Sequence, residues 1–146
     1  RMSAELIFRI ANSVALAGWL VLLASPFAPK LARMVSGLAI PLLLAVAYSG
    51  LVMAFWSSRQ GGFDSLEHVG QLFSNPELLL AGWIHYLAFD LFVGAWIVGK
   101  ARENGIAFWA VIPCLFLTFL FGPAGFLLFN AVVAVKLVPS LKGATS

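Results

Sequence analysis

Long apolar runs separated by short polar stretches dominate the chain. The pattern predicts four helices at about residues 5–27, 37–56, 78–99 and 106–138. Each run is long enough to cross a bilayer, for which about 20 apolar residues suffice. The one long polar stretch, residues 57–77, is predicted to be a loop with room for a short surface helix. We therefore expect an all-α fold, in which the 146 residues form a single domain of four transmembrane helices.

The fourth run is too long for one upright crossing of a ~30 Å hydrocarbon core. Gly122 and Pro123 stand near its middle. Pro123 has no backbone N–H to bond the carbonyl of Phe119, so a helix is expected to bend there. The sequence thus predicts a long fourth helix that is kinked at Gly122-Pro123, with an unpartnered carbonyl inside the membrane.

Composition supports the membrane class and argues against several others. Hydrophobic residues make up 62% of the chain and charged residues 10%, against about 45–50% and 25% in soluble domains. The net charge of +3 is spread along the chain without a polybasic tract, so nucleic acid is not an expected partner. One cysteine and two histidines cannot supply a zinc or di-iron ligand set. We expect no metal and no cofactor.

Asp90 is the polar residue that the apolar pattern does not accommodate. It stands near the centre of the third helix, where an ionisable group costs several kcal/mol unless it is partnered or neutralised. At about 1.5 Å per residue, Asp90 lies at nearly the same depth as Pro123. A protonated Asp90 could therefore donate a hydrogen bond to the Phe119 carbonyl. A functional carboxyl and a structural contact between helices both remain open at this point.

Two neighbouring faces of the third helix carry candidate site residues. Tyr86, Asp90 and Gly94 share one face, because they are spaced four residues apart. An aromatic stripe runs beside them, either as packing surface or as the flat wall of a cleft for an elongated apolar ligand with a polar ring. The expected catalytic residues, for acid–base chemistry without a cofactor, are Asp90, His85 and Tyr86. The expected ligand-binding residues are Phe89, Phe92, Gly94, Trp96, Gly122, Pro123 and Asn130.

Three motifs stand in the segment from Trp83 to Phe129: His85-Tyr-Leu-Ala-Phe-Asp-Leu-Phe-Val-Gly94 with Trp96, Ile112-Pro-Cys-Leu115 and Phe121-Gly-Pro-Ala-Gly-Phe-Leu-Leu128. Through these motifs the segment resembles the abscisic-acid-deficient-four-like proteins, a family named for a plant plastid protein needed for neoxanthin synthesis. The resemblance implies a four-helix membrane fold and a redox-neutral isomerisation that opens an epoxide and forms an allene in a carotenoid. Ala95 stands where the plant pattern has arginine. The resemblance therefore implies carotenoid association or ring modification rather than neoxanthin synthesis itself.

Two functions from different classes fit these observations. One is a carotenoid-modifying, isomerase-like enzyme, and the other is a non-enzymatic subunit of a larger pigment–protein assembly in the membrane. A transporter is the weakest reading, because the chain has no internal repeat. The expected partners are a carotenoid or similar ligand and membrane lipid, and a homo-oligomer or larger complex stays open. Lys and Arg are level between the two sides of the predicted topology. We expect a prokaryotic inner-membrane protein with both termini outside the cytoplasm.

Overall fold

A computed structural model describes residues 3–144, except for the side chains of residues 140–142 and 144. The described chain is all-α and contains no strand, as the sequence predicts. Its helices are α1 (Ala4–Leu23), α2 (Pro29–Met34), α3 (Ile40–Phe55), α4 (Leu66–Leu72), α5 (Pro76–Glu103) and α6 (Phe108–Ala144). By length and composition, four segments could cross a membrane: Ala4–Leu23, Pro29–Ser58, Pro76–Glu103 and Phe108–Pro139.

The first two crossings end or begin at prolines. The Ser3 side chain caps α1 at its N-terminus, and α1 ends at Leu23 because a helical Pro26 would clash with the carbonyl one turn earlier. The second crossing begins at Pro29, eight residues before the predicted start. A π-helical turn, Val35–Ala39, joins α2 to α3 without a break. Within it, the Ser36 hydroxyl donates a 2.7 Å hydrogen bond to the carbonyl of Gly18.

The polar loop contains the short surface helix α4, and α5 follows it. The Ser65 side chain caps α4. The Asn75 side chain accepts hydrogen bonds from the backbone of Glu77 and Leu78, which fixes the start of α5. At its other end α5 continues past the predicted residue 99 and stops before Gly105, whose φ of +62° favours glycine.

Helix α5 is the centre of the fold, and α1, α3 and α6 all pack on it. Helix α1 runs parallel to α5, since Phe8 contacts Trp83 and Trp19 lies against Gly94. Helix α3 runs antiparallel, because Tyr48 contacts His85 near the start of α5. One end of the bundle therefore holds the starts of α1 and α5, and we call it the Ser3 end. The opposite end holds the α5–α6 connection, and we call it the Gly105 end.

The described part of α6 is a helical hairpin rather than one straight helix. Its backbone leaves helical dihedral angles at Phe121 (φ −141°, ψ 48°) and Gly122 (φ 1°, ψ −74°). We call residues 108–120 the first arm, residues 123–144 the second arm and the two residues between them the tip. The interruption adjoins the predicted position, Gly122-Pro123, but the chain turns back at the tip and does not continue across the bundle.

Contacts between the two arms show this reversal. A Cβ atom at Gly125 would overlap the backbone of Thr118 and lie 2.6 Å from the carbonyl oxygen of Cys114. The Lys136 ammonium donates a hydrogen bond to the carbonyl of Gly105. On a straight helix Lys136 would lie about 40 Å beyond the start of α6. The second arm therefore returns to the Gly105 end.

The reversal changes the expected topology. The first arm has 13 residues, about 20 Å of helix, so the tip reaches only part of the way through a ~30 Å hydrocarbon core. Asp90 lies 13 residues before the end of α5 and so stands at the same level as the tip. The second arm thus ends on the opposite side of the bundle from Ser3, whereas the sequence placed both termini on one side.

Candidate functional site

The centre of the candidate site is the contact between Asp90 and the hairpin tip. A Cβ atom at Gly122 would overlap the Asp90 carboxyl group, so only glycine lets the tip approach this closely. The Asp90 side chain is half-buried. Its Oδ2 atom is enclosed and has no hydrogen-bond partner among the described residues. An enclosed carboxyl oxygen without a partner is costly in an apolar region, and this marks Asp90 as a candidate functional group.

Tyr86 lies one turn before Asp90 and fixes the first arm in place. Its hydroxyl donates a 2.9 Å hydrogen bond to the carbonyl of Leu120, the last residue of the first arm. From the sequence, the Phe119 carbonyl is expected to lack its helical partner and to accept a hydrogen bond from Asp90. Because the chain reverses after Leu120, the carbonyl at the end of the first arm loses its helical partner, and Tyr86 replaces it.

A row of aromatic and amide groups continues this surface toward the Ser3 end. The Trp83 ring stacks on Tyr86 with centroids 5.3 Å apart. The Trp83 Nε1–H donates a 3.0 Å hydrogen bond to the side-chain oxygen of Asn12. Phe8 packs against the same indole at 5.8 Å. These contacts hold α1 against α5, and the row forms a wall that extends from the Ser3 end to Asp90.

The wall leads to the hairpin tip. Both arms join the tip at the level of Asp90, so neither covers the part of α5 nearer the Ser3 end. Trp83 is 40% exposed and Phe121 is 64% exposed. Both side chains therefore lie on the outer surface of the bundle. We call the space bounded by Trp83, Tyr86, Asp90 and the tip the Asp90 cleft.

The structure does not place His85 in the Asp90 cleft. The His85 ring packs edge-on against Tyr48 at 5.6 Å and against Phe89 at 4.8 Å. On the helix it lies about 140° around from Asp90, since the two are five residues apart. The three predicted catalytic residues therefore divide into a pair, Tyr86 and Asp90, and a separate histidine.

The predicted ligand-binding residues also divide. Gly122 and Pro123 belong to the tip region, whereas Gly94 is buried against Trp19 and serves helix packing. The Asn130 amide donates to the Phe126 carbonyl of its own helix and is exposed. Phe89 is 58% exposed and packs against His85. The other two aromatic residues, Phe92 and Trp96, line a separate cavity near the Gly105 end.

Sequence reasoning missed the reversal of α6, although two signals for it were present. The fourth run was too long for one crossing, and Gly122 and Gly125 flank Pro123 in its middle. Sequence reasoning did not anticipate that Trp83 and Asn12 would bond.

Among the described residues, no three His, Cys, Asp or Glu side chains gather as a metal site would require.

The apolar helices around a half-buried carboxyl group define a polytopic α-helical membrane protein. Residues 6–129 match the family described as ABA DEFICIENT 4-like. The chain therefore belongs to the ABA4-like family, as its sequence motifs indicate. No curated protein and no solved structure matches it.

Proposed function

We propose that this protein is a redox-neutral, isomerase-like enzyme that modifies the ring end of a carotenoid. The family suggests a carotenoid-related membrane protein. The observation that carries the proposal is the enclosed, unpartnered Oδ2 atom of Asp90 at the inner end of a cleft that faces lipid. A long polyene can stay in the bilayer while its oxygenated ring enters such a cleft.

The two polar groups of the cleft suit acid–base chemistry on an oxygen function. In its protonated form, Asp90 donates a proton to a ring oxygen as the C–O bond breaks. A neighbouring carbon then loses a proton to the Asp90 carboxylate, and a new C=C bond forms. No electron acceptor is needed, because the proton given at the start is regained. Tyr86, bonded to Leu120 at 2.9 Å, positions the tip against the carboxyl group.

Asp90→Asn tests this assignment, because it keeps the size of the side chain and removes its proton transfer. The matched control is Asp64→Asn, which changes an exposed carboxyl group in the polar loop. Both variants are expressed in carotenoid-producing cells and purified in mild detergent. We expect Asp90→Asn to bind pigment at the wild-type ratio but to change the chromatographic profile of the cell's carotenoids. An unchanged profile in both variants would refute an enzymatic role for Asp90.

A second candidate function, a non-enzymatic subunit of a pigment–protein assembly, is favoured by the aromatic stripe of α5. Phe89 and Phe92 are 58% and 49% exposed there. An exposed aromatic stripe of this kind suits packing against pigment or another membrane subunit. For such a subunit, Asp90→Asn would leave the pigment profile unchanged, and Phe89→Ala would reduce the yield of the assembly.

A further inference from the structure

A cavity of about 670 Å³ lies at the Gly105 end, apart from the Asp90 cleft. Leu22, Phe92 and Trp96 give it an apolar wall. Lys30 and Arg33 of α2 approach it from one side, and the last turns of α5 approach it from the other. The cavity therefore joins an apolar surface at membrane depth to cationic groups at the membrane boundary.

Three of the four cations that line this cavity have no ion pair among the described residues. The Lys100 ammonium lies 2.8 Å from the Glu103 carboxylate, which accounts for one pair. Lys30, Arg33 and Arg102 also line the cavity and have no ion pair among the described residues. Three positive charges around an apolar cavity favour the binding of an anionic ligand. Guanidinium groups bind phosphate oxygens in paired hydrogen bonds.

Charge is distributed unequally between the two ends of the bundle, because the hairpin of α6 brings Lys136 to the Gly105 end. The Ser3 end carries more acidic than basic residues, and the Gly105 end carries the reverse. Since Lys and Arg are concentrated in cytoplasmic segments, this distribution predicts that the Gly105 end faces the cytoplasm. The described charges at the Gly105 end are Lys30, Arg33, Lys100, Arg102, Lys136 and Glu103, and those at the Ser3 end are Glu5, Arg9, Arg59, Asp64, Glu67 and Glu77.

We propose that this cavity binds an anionic phospholipid of the cytoplasmic leaflet. The phosphodiester lies between Arg33 and Arg102, and one acyl chain follows the apolar wall past Phe92 and Trp96. Two features support a lipid rather than a free anion. The wall is apolar and continuous with the membrane-facing surface, and anionic headgroups are concentrated at the cytoplasmic face. The assignment does not depend on any activity of Asp90.

The test is a titration of the delipidated full chain in detergent with dioleoyl phosphatidylglycerol, followed by native mass spectrometry. Dioleoyl phosphatidylcholine is the lipid control, because it has the same chains and no net charge. The variant is Arg33→Gln with Arg102→Gln, and the matched control is Arg59→Gln, which removes an arginine at the other end. Circular dichroism confirms that each variant is helical.

We expect the wild-type protein and Arg59→Gln to prefer phosphatidylglycerol. The double variant should bind it about tenfold or more weakly, since each cation near a membrane surface contributes roughly a fivefold change. Equal binding of the two lipids by the wild-type protein, or unchanged binding by the double variant, would overturn the proposal. Displacement of the lipid by sn-glycerol 3-phosphate, which has no chains, would show that the cavity takes a free phosphate ester instead.

Discussion

The contact between the two arms of α6 gives a direct test of the hairpin by the substitution Gly125→Ala. The added Cβ atom would overlap the backbone of Thr118 and lie 2.6 Å from the carbonyl oxygen of Cys114. Backbone atoms of a packed helix cannot move aside cheaply, so the arms would have to separate. Overpacking of this kind costs about 1–3 kcal/mol. Replacing a helical glycine by alanine returns about 1 kcal/mol, so we expect a net loss of up to about 2 kcal/mol.

Gly99→Ala is the matched control, because a Cβ atom there meets no other atom within 4 Å. It gains the same helix propensity without the overlap and should stabilise the protein by about 1 kcal/mol. The two variants would be compared by SDS titration in mixed micelles, with circular dichroism as the readout. If α6 were a straight helix, Gly125 would be far from Cys114, and both substitutions would stabilise. Equal stabilisation would therefore refute the hairpin.

Two further predictions follow from the same geometry. In a Cys114→Ser background, single cysteines introduced by Asn104→Cys and Lys136→Cys should react with a membrane-impermeant thiol reagent added on the same side of the membrane. A cysteine introduced by Ser65→Cys should react from the opposite side. If the Lys136→Cys variant reacted from the same side as Ser65→Cys, the reversal would be contradicted. Tyr86→Phe leaves the Leu120 carbonyl without the 2.9 Å hydrogen bond and should lower the free energy of unfolding by about 0.5–1.5 kcal/mol. The control is Tyr48→Phe, and an equal effect of the two variants in the same SDS titration would argue against the bond.

The sequence predicts the helices well because their signal is local. Runs of apolar residues are visible without tertiary information. The second crossing shows where this signal weakens. Lys30 and Arg33 interrupt the apolar run, so its first eight residues were not predicted to be helical, although Pro29 is a favourable first residue.

The candidate site was predicted only in part, because it depends on the path of the chain between helices. Asp90 and Gly122 were both singled out and are in contact. His85 and Trp96 were grouped with them on the strength of helical position, yet they contact different neighbours, Tyr48 and Phe126. A helical wheel gives the direction of each side chain on α5, but it does not say which helix lies in that direction.

The hairpin also affects how the protein is made. Because the second arm returns to the Gly105 end, the described chain after Asn104 never has to pass its polar groups through the bilayer during insertion. Lys136, whose ammonium rests on the Gly105 carbonyl, stays on the side where it was synthesised if that end faces the cytoplasm. Of the described chain, the insertion machinery then translocates the start of α1 and the polar loop that holds α4. The C-terminal quarter of the chain can fold into place from the ribosome side, after α5 has provided the surface on which it packs.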